Sequence, residues 1–163
     1  MLMYKLIDHT FFITDPELNL ELVGELSLTP HHTFYESGEL KWEGYYLGEM
    51  LHGPASFFAR SGTLLSKSWF FEGKRQGKVR QYYPSSKLSS IQRYKDDRLE
   101  GRQEYYYEDG GLKTEMFYKN GSLHGKVTLF WEDGTKKREC LFTHGKKESD
   151  ALFDEKGVLT DAR

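Results

Sequence analysis

The chain has one cysteine in 163 residues, Cys140. A lone thiol excludes an intramolecular disulfide framework and a thiolate zinc cluster, and it fits a reducing compartment. No run of 18 apolar residues occurs, so nothing is written as a membrane-spanning helix. The opening MLMYKLIDHTFFITD carries Asp8, His9 and Asp15 within it, unlike a secretory signal peptide. Cytoplasmic placement is the default expectation, with signal-less export left open. A surplus of either charge is also missing: 23 Lys and Arg stand against 25 Asp and Glu, for a net charge of −2. Nucleic-acid binding needs a concentrated basic footprint. The local clusters Lys74, Arg75, Lys78, Arg80 and Lys136, Lys137, Arg138 are interleaved with acids and read as solvated sheet surface. The expectation is no nucleic-acid partner, and the neutral balance argues against membrane association.

Aliphatic residues are scarce as well. Only 37% of the chain is hydrophobic, yet 15% is aromatic, with 11 Tyr, 11 Phe and 3 Trp. That is too aromatic for a disordered chain and too poor in aliphatics for a thick two-layer core. Shallow faces covered by rings, with tyrosine hydroxyls left wet, fit better.

What the chain does have is a period. Gly38, Gly62, Ser86, Gly110 and Gly134 follow one another at steps of 24 residues, with a one-residue-shorter step to Gly157. Four positions before each stands Phe34, Phe58, Tyr82, Tyr106, Phe130 and Phe153; two positions after stands Leu40, Leu64, Leu88, Leu112, Lys136 and Leu159. Eight positions after come Tyr46, Phe70, Tyr94, Tyr118 and Phe142, and fifteen after come Gly53, Gly77, Gly101, Gly125 and Ser149. A preceding glycine column holds Gly73, Gly121 and Gly145, with Glu49 and Asp97 in two copies. Five columns aligned at one period establish an internal repeat.

Within a unit the pattern reads strand, turn, strand, turn. Leu112, Thr114, Met116 and Tyr118 alternate with Lys113, Glu115, Phe117 and Lys119, the period-two signature of a strand. Lys119-Asn120-Gly121-Ser122 is a turn that tolerates positive φ. Pro16, Pro30, Pro54 and Pro84 are expected at strand edges or turns. The predicted fold is all-β: an elongated, open, twisted antiparallel sheet of about ten strands in tandem 24-residue hairpins. Residues 1–33 read as a divergent first repeat or N-terminal cap, since Ile13–Leu18 echoes Tyr35–Leu40 with Val23 and Gly24 beyond. Residues 34–149 form the tandem repeats, and residues 150–163 a half-repeat cap.

These columns resemble the MORN repeat, and more closely the bacterial MORN-repeat variant labelled the YwqK-type antitoxin family. The matching stretches are YESGELKWEGYYLGEMLHGPASFF, ARSGTLLSKSWFFEGKRQGKVRQYY, PSSKLSSIQRYKDDRLEGRQEYY, YEDGGLKTEMFYKNGSLHGKVTLFW and EDGTKKRECLFTHGKKESDALF. The resemblance implies a platform of β-hairpins for partners, and the antitoxin label implies a bacterial protein that neutralises a toxin by binding it. Ser86 and Asp97 depart from the pattern.

The residues give no counterweight from catalysis. Gly121-Ser-Leu-His-Gly125 runs into an alternating strand rather than a helix, so it is not a phosphate cradle. His52 and His124 share a column with Gln76 and Glu100, which reads as a polar turn position. No three-ligand metal set appears. His31-His32 reads as linker surface. Cys140 shares a column with Gly44, Ser68, Gln92 and Met116, with only His144 nearby in sequence, a poor base for its sulfur. The expectation is a non-enzymatic protein-binding module without cofactor or metal, with antitoxin and lipid-platform roles as alternatives. Its candidate contacts are Trp42, Tyr45, Tyr46, Trp69, Phe70, Tyr94, Phe117 and Tyr118, with Leu40, Trp42, Tyr46, Leu64 and Phe70 expected on one face.

Overall fold

Two kinds of turn alternate along the chain, and both depend on positive φ. At one end of the strands Gly38, Gly62, Gly110, Gly134 and Gly157 hold φ between +77° and +99°, and each amide donates three residues back, as Gly38 N does to Tyr35 O at 2.9 Å. At the other end the pairs Glu72-Gly73, Asp96-Asp97, Asn120-Gly121 and His144-Gly145 are positive at both residues. That is the two-residue hairpin turn whose twist matches its strands. Ser86 holds φ +67° where the other units have glycine. Ser86→Gly is therefore expected to raise stability by about 0.5–1 kcal/mol, the relief of a left-handed side chain less glycine's entropy. A urea midpoint that stays put or falls would contradict this.

The structure, a computed structural model, describes residues 3–7, 10–15, 20–21 and 26–163, with side chains from residue 28 onward. A small sheet holds β1 (Met3–Ile7), β2 (Thr10–Asp15), β3 (Leu20–Glu21) and β4 (Leu26–Ser27). Of the upstream candidate unit, residues 16–18 with Pro16, and Val23 and Gly24, lie outside the described residues. The large sheet begins with β5 (Thr29–Phe34), β6 (Leu40–Leu47), β7 (Met50–Phe58), β8 (Leu64–Phe71), β9 (Lys74–Arg75), β10 (Gly77–Tyr82) and β11 (Leu88–Lys95). It continues through β12 (Arg98–Leu99), β13 (Gly101–Tyr106), β14 (Leu112–Lys119), β15 (Ser122–Phe130), β16 (Lys136–Thr143), β17 (Lys146–Phe153) and β18 (Leu159–Ala162). Its order follows the chain, β5-β6-β7-β8-β10-β11-β13-β14-β15-β16-β17-β18, every pair antiparallel and the ends unjoined. Twelve strands at the usual spacing make a sheet roughly 50 Å across. The sheet is open and all-β, as the period predicts.

Register fixes which residues share a face. One row runs Thr33, Trp42, Phe57, Ser66, Gln81, Ser90, Tyr105, Thr114, Leu129, Arg138, Leu152, Asp161. The row beside it, on the opposite face, runs His32, Glu43, Ser56, Lys67, Arg80, Ile91, Glu104, Glu115, Thr128, Glu139, Ala151, Ala162. We call the first the aromatic face and the second the ion-pair face.

A one-residue bulge follows each glycine turn, and it corrects a sequence expectation. Thr33 pairs with Trp42, but Phe34 pairs with Leu40, so Lys41 is an extra residue. The slip reverses alternation. Leu40 therefore stands with Phe34 on the ion-pair face, opposite Trp42. The same shift pairs Phe58 with Leu64, Tyr82 with Leu88 and Tyr106 with Leu112. The leucine column and the aromatic column after it do not form one face.

A second irregularity lies past each two-residue turn. Gly44 pairs with Ala55 and Tyr46 with Leu51, so Tyr45 alone stands opposite residues 52–54. Pro54 falls in this gap. It lies inside β7 and is buried, not at an edge as expected, because the interrupted ladder asks no donor of it. His31 and His32 are likewise strand residues of β5, exposed, with the His31 ring 5.1 Å from that of Tyr46.

Candidate functional site

The period-24 columns resolve into contacts between units. Gly53 pairs with Phe70, Gly77 with Tyr94, Gly101 with Tyr118 and Gly125 with Phe142. Each ring of that column thus pairs across the strands with a glycine of the neighbouring unit. Tyr35, Tyr83 and Tyr107 donate their hydroxyls to Phe58 O, Tyr106 O and Phe130 O at 2.7–2.8 Å. Each tyrosine staples its turn to the next unit. That column is missing from the sequence reading although Tyr35, Tyr83 and Tyr107 recur at the same period.

The His/Gln/Glu column is a third staple. His52 Nδ1 accepts from Glu72 N at 3.3 Å, Gln76 Oε1 from Asp96 N at 3.3 Å, Glu100 Oε2 from Asn120 N at 2.7 Å and His124 Nδ1 from His144 N at 3.4 Å. The column lies at the irregularity of the strand rather than in a turn, which corrects that expectation. Its requirement is an acceptor, and three residue types supply one.

This use of His52 carries a pH dependence. The ring is buried, at 2% exposure. Burial lowers its pKa below the ordinary value, against the opposing pull of the Glu72 carboxylate. A pKa lower in the folded than in the unfolded chain gives stability that is complete above about pH 6.5 and lost as pH falls through the folded value. The urea midpoint is expected to drop between about pH 7.5 and 5. His52→Gln, which keeps the acceptor, removes that share of the drop. An identical pH profile in the variant would contradict the assignment.

The two faces differ in how their polar groups are used. On the ion-pair face Glu104 is buried between Arg93 (Nη1 to Oε2, 2.8 Å) and Arg102 (Nη1 to Oε1, 3.0 Å), and Arg102 also pairs with Glu115. Burial pushes the Glu104 carboxyl up, but Arg93, Tyr106 and Arg102 outweigh it and hold it below its ordinary value. Lys136 and Lys126 lie 2.8 and 3.6 Å from Glu139. These charges satisfy one another within the sheet.

On the aromatic face Trp42, Tyr46, Phe57, Phe70, Tyr105 and Tyr118 are each half-buried. The Trp42 ring lies against Gly44, where a Cβ would stand 2.4 Å from it. Tyr105 receives a hydrogen bond from Gln92 Nε2 at 2.8 Å. Burial, then the neighbouring Tyr105 and Tyr94 phenols, raises the pKa of Tyr118. A shallow groove of about 320 Å³ opens here, lined by Gln81, Ser90, Tyr105, Thr114 and Met116 of this face, among others. Beneath it Gln103 is fully buried, taking Arg93 N at 2.7 Å and donating to the Arg93, Glu100 and Gly101 carbonyls.

The eight contact candidates are therefore split. Trp42, Tyr46, Phe70 and Tyr118 share the aromatic face, half-exposed. Tyr94 stands with them but is buried, its ring under the Arg75 guanidinium at 4.2 Å. Tyr45, Trp69 and Phe117 point to the ion-pair face. Trp69 is 4% exposed, so it has almost no surface to offer. Phe57, Tyr105 and Met116 are additions: the column of Phe57 and Tyr105 also holds Thr33, Gln81 and Leu129, and that of Met116 holds Gly44, Ser68, Gln92 and Cys140, so neither stands out as an aromatic column.

Cys140 is buried, its Sγ 3.2 Å from Asp150 Oδ1, and burial and that carboxylate raise its pKa. Among the described residues no group of three or more His, Cys, Asp and Glu could hold a metal ion. No helix of the described residues is long and apolar enough to cross a membrane.

The family model described as MORN repeat variant matches three consecutive stretches, residues 75–96, 99–120 and 123–144. Their starts are 24 residues apart, in step with the glycine columns. No curated protein matches. Among solved structures, a crystal structure of a GtfA/B complex bound to UDP and GlcNAc is 10% identical over 83% of this chain and 23% of that chain. Its TM-score of 0.28 is too low to carry an argument.

Proposed function

We propose that the protein is a non-enzymatic binding module that holds a partner protein on its aromatic face. The observation that carries this reading is the set of half-exposed rings on that face, Trp42, Tyr46, Phe57, Phe70, Tyr105 and Tyr118, with Tyr105 lining an open groove and with Arg138 and Asp161 as the charges of its paired row. Large amphipathic rings on a rigid support are the side chains that dominate protein interfaces. The ion-pair face is the poorer candidate. A partner there would have to displace charge pairs already made, and its tryptophan is buried.

The opposite-charge pairs also suggest how to separate the readings. Contacts through exposed charges are screened at high salt, whereas contacts through rings are retained. A partner captured on the immobilised chain is expected to survive a wash at roughly 1 M salt, where the screening length is about 3 Å. Complete elution by that wash would overturn the reading in favour of a charge-held partner or an anionic surface.

A further inference from the structure

The end of the sheet formed by the two-residue turns holds a recess of about 380 Å³, on neither face. It is lined by Lys74, Lys95, Asp96, Arg98, Glu100 and Asn120. Its two carboxylates are already engaged: Asp96 Oδ1 accepts from Gln76 Nε2 at 2.8 Å, and Glu100 Oε2 accepts from Asn120 N at 2.7 Å. The nearby Asp97 is taken by Arg75, at 2.8 Å. Among the described residues no carboxylate lies within ion-pair distance of Lys74, Lys95 or Arg98. The Arg98 stem passes beside the turn glycine Gly121, its Cβ 3.6 Å from where a Cβ on that glycine would stand. Three cations outside ion-pair distance of any described carboxylate thus line a polar recess whose two acids are engaged elsewhere, Asp96 by the Gln76 side chain and Glu100 by the Asn120 amide.

We propose that this recess is an anion site that takes a carboxylate side chain from an acidic peptide segment. Three cations against two carboxylates leave a lining charge of +1. That balance suits a monoanion. A phosphate dianion would bring excess negative charge against Asp96 and Glu100. The guanidinium of Arg98 presents the paired donors that fit a carboxylate, and Lys74 and Lys95 add mobile point charges. The site lies apart from the aromatic rows and stands whether or not those rows bind a partner.

The test is titration of the intact protein with an oligoglutamate peptide at low salt, followed by backbone amide resonances. Shifts are expected at Lys95–Arg98 and Asn120–Gly121, and none with an oligoserine peptide. Arg98→Gln and Lys95→Gln, both at exposed side chains, are each expected to weaken binding roughly three- to fivefold with the fold unchanged. Tyr118→Ser is expected to leave it unaltered, which separates this site from the aromatic face. No shift at these turns, variants that bind as the parent does, or tighter binding of inorganic phosphate at the same amides would each overturn the assignment.

Discussion

Trp69→Ala is expected to cost about 3–5 kcal/mol of stability, the range for removing a buried tryptophan. Trp69 stands in β8, the fourth strand of the twelve-strand path and paired on both sides, with Pro54 as its cross-strand partner and 4% of its surface exposed. A single-layer sheet has no second layer to settle into the vacated space, so little of the lost contact is recovered. Leu141 occupies the same repeat column three units along the ion-pair face but is 42% exposed. Leu141→Ala is therefore expected to cost under about 1 kcal/mol. Urea unfolding of both variants checks the contrast. Equal and small losses would show that Trp69 is a surface residue, and would return it to the contact candidates.

The second large effect concerns a glycine. Gly125→Val is expected to cost about 3 kcal/mol, because the backbone there holds φ +106°, a region closed to β-branched residues. A Cβ at Gly125 would also lie 3.3 Å from the Phe117 Cβ. Gly121 is positive too, at φ +81°, but its turn position tolerates asparagine. Gly121→Asn is expected to cost only a few tenths of a kcal/mol to about 1 kcal/mol. The comparison separates glycines that merely turn the chain from those that shape the irregular strand beneath an aromatic. Similar losses at both positions would contradict that division.

Much of this architecture is legible in the sequence because repetition averages out local ambiguity. The hairpins, the turn at Asn120-Gly121 and the open sheet all follow from the columns. What alternation cannot deliver is a face assignment across a bulge. Lys41 looks like any other strand residue, yet it sends Leu40 and Trp42 to opposite sides of the sheet. Pro54 misleads for a related reason: a proline argues against a central strand only where the ladder needs its donor. The column of His52, Gln76, Glu100 and His124 is opaque because its shared property is an acceptor atom rather than a residue type.

The candidate site was legible to a similar depth. The aromatic columns identify which residues can matter, while burial decides which of them are accessible. Trp69 and Phe117 share a column, but Trp69 is buried and Phe117 half-buried. That difference depends on neighbours one unit away, where the repeats are not identical. Tyr105 and Met116 join the site because of register, as Tyr105 pairs with Ser90 and Met116 with Gln103.

The central claim is that partner binding belongs to the aromatic face, and matched substitutions on the two faces test it most directly. One variant carries Tyr46→Ser and Tyr118→Ser; the other carries Tyr45→Ser and Phe117→Ser, the sequence neighbours that point the opposite way. Affinity capture with each, on chains whose circular dichroism matches the parent, is predicted to lose the partner only with the first. Loss with the second and retention with the first would contradict the account.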